Sequence, residues 1–142
     1  MSYPVLIFSA DKLRGRIIQT VLLRTGVESL LLETISQTRG VLTEHAPYIA
    51  ILDTNGCFSE EIKLLNNLCE ALEQTSLILL GNTPILDRFE DPIIRRALCL
   101  SDPLDPEVIV AKVKEFLSRE VKEKLPEDRP LEEELKEFLR LD

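Results

Sequence analysis

Asp53 is the residue whose type and position most directly suggest chemistry. It follows the apolar run from Tyr48 to Leu52, a pattern typical of a buried strand. Carboxylates at the ends of parallel strands project into the crevice where α/β folds place their sites. Asp53 is therefore either a working carboxylate or one retained from a site that has lost its activity.

Three other predicted strands end at residues that we expect to share this crevice. These residues are Asp11, Gly81 and Asp102. The carboxyl ends of parallel strands meet at one edge of a sheet, so these positions and Asp53 should converge there.

The elements that must position these residues alternate along the chain. Short apolar runs predict strands at residues 4–8, 28–32, 48–52, 76–80 and 98–100. Helical periodicity predicts helices at 12–25, 35–45 and 59–72, a broken one at 84–97, and a final one that starts at 106. Asp11, Ser59 and Thr83 are the expected N-terminal caps of three of these helices. Five βα units predict a doubly wound parallel sheet between two layers of helices.

The C-terminal part of the chain differs in character. We predict one domain over residues 1–118, followed at 119–142 by a charged linker and a short amphipathic helix. The apolar stripe of that helix consists of Leu131, Leu135, Phe138 and Leu139. A helix this short is marginal alone in water, so the stripe should pack on its own domain, on a second copy or on another protein.

Composition excludes several classes of function. A net charge of −8 argues against a nucleic-acid surface, which needs clustered basic residues. The three cysteines are widely spaced and lack a CxxC pair, which argues against a zinc site or a disulfide framework. No apolar run approaches the ~20 residues that span a bilayer. We expect a cytoplasmic protein without membrane contact.

The pattern resembles the receiver domain of two-component response regulators over residues 4–118. The resemblance rests on Val5-Leu6-Ile7-Phe8, on Ile51-Leu52-Asp53 and on Ser101-Asp102-Pro103-Leu104-Asp105-Pro106-Glu107. It implies a flavodoxin-like sheet with the strand order 2-1-3-4-5. It also implies that Asp53 occupies the position of the aspartate that accepts a phosphoryl group.

The sequence departs from that family around Asp53. Ser9 and Ala10 stand where the resemblance implies an acidic pair that holds Mg²⁺. Gly81 replaces a hydroxyl residue, and Asp102 replaces a lysine. A shifted register would bring Asp11 or Thr83 partly into these roles but would not restore the lysine. We therefore expect a degenerate pocket without cations and without a metal.

Charge repulsion is the expected cost of these substitutions. Two carboxylates about 6 Å apart repel by roughly 3 kcal/mol at an effective dielectric of ~20, and a phosphorylated aspartate is more negative still. The pocket of Asp53 and Asp102 should then disfavour phosphorylation. An inward-turned lysine or arginine beside Asp53 would favour the opposite conclusion.

The function that this pattern favours is a pseudo-receiver, a non-enzymatic module that signals by docking and needs no cofactor. The expected surface comprises the fourth helix, the fifth strand and the fifth helix, which mediate partner contacts in the resembling family, together with the tail. Expected partners are a histidine kinase or another signalling protein, or a second copy of the chain.

Two alternatives stay open. The first is a phosphorylatable single-domain regulator that uses Asp53 and Mg²⁺. The second is an unrelated enzyme on the same scaffold, for which the sequence assigns no nucleophile and base.

Overall fold

A computed structural model describes residues 4–44 and 47–124, with the backbone alone described for residue 43 and residues 120–124. Five parallel strands form one sheet in the order β2-β1-β3-β4-β5. The strands are β1 (Val5–Ser9), β2 (Ser29–Leu32), β3 (Ile49–Asp53), β4 (Ser76–Gly81) and β5 (Leu98–Ser101). The predicted fold class and strand order are confirmed.

Within the described residues, six helices connect or follow these strands. They are α1 (Lys12–Arg24), α2 (Ile35–Glu44), α3 (Ser59–Glu70), α4 (Thr83–Leu86), α5 (Asp91–Arg96) and α6 (Pro106–Lys124). The predicted broken helix at 84–97 is the pair of short helices α4 and α5, and the predicted fifth helix is α6. None of the helices in the described ranges has the length and apolar character needed to cross a membrane.

The central strands are buried on both faces, which explains why they read as continuous apolar runs. Every residue of β1 and of β3 is buried. One core packs α1 and α6 against one face of the sheet, and a second core packs α2, α3, α4 and α5 against the other. This three-layer arrangement holds the carboxyl ends of the strands at one edge.

Of the three predicted N-terminal caps, one is confirmed and two are wrong by one residue. Asp11 caps α1 as predicted, since its side chain accepts hydrogen bonds from two backbone N–H groups of the first turn. Phe58, one residue before the predicted Ser59, is the N-cap of α3, and its backbone N–H donates to Glu61. Asn82, rather than Thr83, caps α4.

The last helix runs through residue 118, where we predicted the domain to end, and continues to Lys124. The predicted linker therefore begins within regular structure. The predicted amphipathic helix around Leu131, Leu135, Phe138 and Leu139 lies outside the described residues.

Candidate functional site

The candidate site lies at the carboxyl edge of the sheet, where Asp53 ends the central strand. Register pairs Ser9 of β1 with Asp53 of β3. Asp53 is completely buried. A carboxylate in this position must find partners within the protein, because no water competes for it.

Arg14 provides two of the four hydrogen bonds that the Asp53 carboxylate accepts. Its Nε donates to Asp53 Oδ2 at 2.9 Å, and its Nη2 donates to Asp53 Oδ1 at 3.0 Å. Ser9 Oγ lies 2.9 Å from Oδ2, and the backbone N–H of Asn55 donates to Oδ1 at 3.2 Å. Both carboxylate oxygens are thus engaged, in the two-point geometry that makes arginine–carboxylate pairs strong.

The same arginine also binds Asp102. Arg14 Nη2 donates to Asp102 Oδ1 at 3.0 Å, so one guanidinium lies between the two carboxylates. Burial lowers the pKa of Arg14, but the hydrogen bonds and charges of Asp53 and Asp102 outweigh it and leave that pKa above its usual value. Arg14 is therefore fully charged wherever the protein is folded.

One expectation from the sequence is wrong at this point. The pocket does contain a cation, because Arg14 turns inward, and the predicted repulsion between Asp53 and Asp102 is offset by it. An inward-turned arginine beside Asp53 is also the arrangement that we expected to favour a phosphorylatable site.

Helix α1 reaches this position because of two local features. Asp11 fixes its first turn by accepting hydrogen bonds from Leu13 N at 3.1 Å and Arg14 N at 3.2 Å. Gly15 lets the helix approach the sheet closely, because a Cβ there would lie 2.8 Å from Leu31 Cδ1 and 3.1 Å from Ser9 Cβ. The residue before Gly15 is thereby held within reach of the strand end.

The remaining predicted positions contribute less to the cluster. Asp11 joins it indirectly, since Asn55 Nδ2 donates to Asp11 Oδ2 at 3.2 Å. Ala10 is exposed in the turn after β1. Ser9 is buried and also lies 2.8 Å from the carbonyl oxygen of Asp11, so its single proton has two candidate acceptors.

Gly81 is explained by the residue that faces it. It has a φ of +153°, and a Cβ at this position would lie 2.0 Å from Thr54 Oγ1. The Thr54 hydroxyl, fully buried, donates to the carbonyl oxygen of Leu80 at 2.6 Å. A hydroxyl group therefore occupies the space that a side chain at position 81 would fill, but it comes from Thr54 and is already bonded.

The residues present do not fit a Mg²⁺ site. Mg²⁺ requires several oxygen ligands in nearly octahedral geometry. Within the described residues, no group of three or more His, Cys, Asp or Glu side chains is arranged to hold a metal. The oxygens of Asp53 that would bind the ion are occupied by the guanidinium of Arg14, whose charge would oppose a second cation.

Sequence reasoning missed Arg14, although one signal pointed to it. The residue lies in the first turn of α1, where the helix dipole disfavours positive charge. A basic residue there needs a compensating anion. Two carboxylates supply it, and they lie 39 and 88 positions away in the sequence.

The cysteines offer no reactive nucleophile. All three are free thiols. Burial raises the pKa of Cys57 and of Cys69 to about 12, and it also raises the pKa of Cys99. Since the thiolate is the nucleophilic form, these groups are unreactive near neutral pH.

A second feature lies beside the site, between β5, the loop after it and the first turn of α6. It is a cavity of about 400 Å³ whose lining includes Cys99, Leu100, Pro103, Leu104 and Val108. The Asp102–Pro103 peptide at its rim is cis. The cavity is mainly apolar and adjoins the Arg14 cluster through Asp102.

Comparison with known proteins defines the class of fold. No protein-family model and no curated protein matches the sequence. The receiver domain of a Francisella response regulator superposes with a TM-score of 0.66 at 17% identity, covering 84% of this chain and 99% of that one. A response regulator receiver domain from Clostridium thermocellum gives a TM-score of 0.68 at 16% identity, covering 82% and 94%.

The same fold also occurs in a protein that is not named as a response regulator. A putative pilus assembly protein from Burkholderia thailandensis superposes with a TM-score of 0.61 at 16% identity, covering 82% of this chain and 99% of that one. The chain therefore has the fold of response regulator receiver domains. Identities this low establish the fold alone.

Proposed function

We propose that this chain is a pseudo-receiver, a signal-transduction module that acts by docking to a protein partner without phosphorylation of Asp53. The observation that carries the proposal is the two-point ion pair between Arg14 and the fully buried Asp53. A carboxylate whose two oxygens are held by an arginine cannot attack a phosphodonor until that pair breaks.

The physical argument differs from the one that the sequence suggested. Repulsion between Asp53 and Asp102 does not exclude a phosphoryl group, because Arg14 offsets it. Occlusion argues against it instead, because Asp53 is buried and, within the described residues, no group of side chains is arranged to hold a metal. Phosphoryl transfer depends on cations that neutralise the transferred group while the nucleophile remains accessible.

Arg14 also gives the alternative its support. A guanidinium beside the acceptor would stabilise a phosphoaspartate if it released the carboxylate and bound the phosphoryl oxygens. In that case the chain would be a phosphorylatable regulator in which Arg14 replaces the lysine implied by the family resemblance.

The surface that we assign to the partner comprises α4, α5, β5 and α6. It is the described part of the predicted docking region, and β5 forms an edge of the sheet. The apolar cavity beside it and the 38% exposed Val108 provide a place for an apolar side chain of a partner. A histidine kinase, another signalling protein or a second copy could supply that side chain.

One experiment separates the two functions. The full chain is incubated with acetyl phosphate and Mg²⁺, and its intact mass is measured beside that of the Asp53→Asn variant. We expect no Asp53-dependent gain of one phosphoryl group. Such a gain, lost in Asp53→Asn, would show the alternative to be correct, as would tight Mg²⁺ binding that this substitution abolishes.

Docking is tested in the cells from which the chain comes. A strain that lacks the gene is complemented with either the Asp53→Asn or the Val108→Asp variant. We expect Asp53→Asn to restore the phenotype and Val108→Asp to fail at equal protein level. The reverse result would contradict the proposal.

A further inference from the structure

The outward side of α1 is an unusual surface for an acidic protein. The side chains of Leu13, Ile17 and Leu23 are 70%, 37% and 62% exposed. The helix carries four basic residues and no acidic one. We define the outer face of α1 as these three apolar residues together with Arg16 and Arg24.

Helix geometry places these five residues on one side. At 100° per residue they occupy the half of α1 that is opposite to the buried stripe of Gly15, Ile18 and Leu22. Arg16 and Arg24 make no ion pair with any side chain in the described part of the chain, whereas Arg14 is held in the site. The outer face therefore combines exposed apolar area with uncompensated positive charge.

The segment of the chain that follows α6 has the complementary chemistry. Residues 125–142 contain seven acidic and three basic residues. Within them, the predicted apolar stripe of Leu131, Leu135, Phe138 and Leu139 is flanked by Glu132 and Glu134 when it is projected on a helix.

Chain connectivity would allow this segment to reach the outer face. Helices α1 and α6 pack against the same face of the sheet and contact each other. Each follows a parallel strand, so both run in the same direction and end at the same side of the domain. Residues 125–130 span up to about 20 Å when extended, more than the ~8–10 Å between packed helices.

The lengths also match. Helix α1 has 13 residues and is about 20 Å long, and residues 131–142 would cover about 18 Å as a helix. A segment that returns antiparallel to α1 would place its acidic first turn beside Arg24. A continuation of α6 away from the domain would leave its apolar stripe in water.

We infer that residues 131–142 pack on the outer face of α1 within the same chain, as an intramolecular cover held by apolar contact and opposite charge. This inference goes beyond the proposed docking function and does not depend on the role of Asp53. It assigns the tail to α1 and leaves the surface of α4, α5, β5 and α6 to the partner.

Amide hydrogen exchange of the full chain tests the inference. Peptides from residues 131–142 should exchange at least about tenfold more slowly than an unstructured segment does. The variant Leu13→Ser with Leu23→Ser should lose this protection, while peptides from the central strands keep theirs. The control Phe58→Ser removes an equally exposed side chain, 77% exposed, elsewhere on the surface and should change nothing.

A second pair of variants tests the contribution of charge. Reversing both basic positions with Arg16→Glu and Arg24→Glu should reduce the protection severalfold. Adding Glu132→Lys and Glu134→Lys should restore part of it, because the charges of the first turn and of residue 24 are then exchanged.

The result that would overturn the inference is equally concrete. Fast exchange of residues 131–142 in the unmodified chain, or protection that neither pair of outer-face substitutions lowers, would show that α1 is not covered by them. Light scattering on the same sample must give the mass of a monomer. Protection that appears only with the mass of a dimer would assign the outer face to a second copy instead.

Discussion

Two arginines connect distant segments of the chain, and they differ in the groups that they bind. One binds carboxylates in the candidate site, and the other binds backbone carbonyls. Arg14, 16% exposed, holds the carboxylates of Asp53 and Asp102. Arg96, an exposed residue, donates to the backbone carbonyls of Cys69, Leu72 and Thr75 at the end of α3.

The two arginines differ in the groups that would lose a partner if the arginine were removed. Carbonyl groups at a helix end are neutral and can bond to water when Arg96 is absent. The buried charge of Asp53 has no such substitute. Arg14 is therefore a structural requirement of the site, and Arg96 stabilises a helix end.

Removal of Arg14 should have the largest effect on stability. In Arg14→Ala the buried Asp53 loses its counter-charge, and we expect the free energy of unfolding to fall by about 3 kcal/mol. Urea denaturation measures the change. Lys12→Ala on the same helix should cost less than about 0.5 kcal/mol, because Lys12 is exposed and its pair with Glu33 is a surface one at 4.0 Å.

A double variant tests whether the uncompensated charge of Asp53 causes this loss of stability. Adding Asp53→Asn to Arg14→Ala removes the uncompensated charge, so part of the lost stability should return. A loss under about 1 kcal/mol in Arg14→Ala alone would mean that solvent reaches Asp53, which would contradict its burial.

Removal of Arg96 should have a smaller effect. Arg96→Met keeps much of the aliphatic packing but loses three hydrogen bonds to carbonyls, and we expect a cost of about 1–2 kcal/mol by urea denaturation. The neighbouring Arg95→Met serves as the control and should be nearly neutral. If Arg96→Met proved as damaging as Arg14→Ala, the distinction between the two arginines would fail.

The smallest expected effect is a loss of stability at alkaline pH, and it concerns the thiol of Cys69, which lies near Arg96. Burial raises the pKa of Cys69 to about 12 from an ordinary value of 9.0, although the charge of Arg96 lowers it. The folded state thus holds the proton more tightly. Its contribution is fully present below pH 9 and is lost as the pH rises toward 12.

At pH 10 the contribution of Cys69 should have fallen by roughly 1 kcal/mol. We therefore expect Cys69→Ala to lose less stability than the unmodified chain between pH 8 and pH 10, as measured by urea denaturation at each pH. Identical pH dependence in the two proteins would contradict the burial of this thiol.

Much of the fold follows from the sequence for physical reasons. Strands covered on both faces read as apolar runs, and the helices between them force parallel crossovers. The position of Asp53 at the end of β3 follows from the same pattern. The start of α3 does not follow from the sequence pattern, because its N-cap, Phe58, has no side-chain acceptor. Glu61, from inside the helix, accepts the backbone N–H of Phe58 instead.

The charge pairing around Asp53 could not be predicted from the sequence pattern. Whether two carboxylates repel depends on what lies between them, and Arg14 enters from another element. The role of Gly81 likewise depends on Thr54, which faces it across the sheet. Such pairings arise from tertiary packing, which a pattern of residue types along one chain does not encode.

The two outermost strands, β2 and β5, have a consequence for how copies of this molecule meet. Each is only four residues long. A neighbouring molecule that tried to extend the sheet would find few unpaired backbone groups, and short outer strands are one way in which natural proteins avoid aggregation. Association of this chain with itself or with others should therefore proceed through side-chain contacts rather than by extension of the sheet.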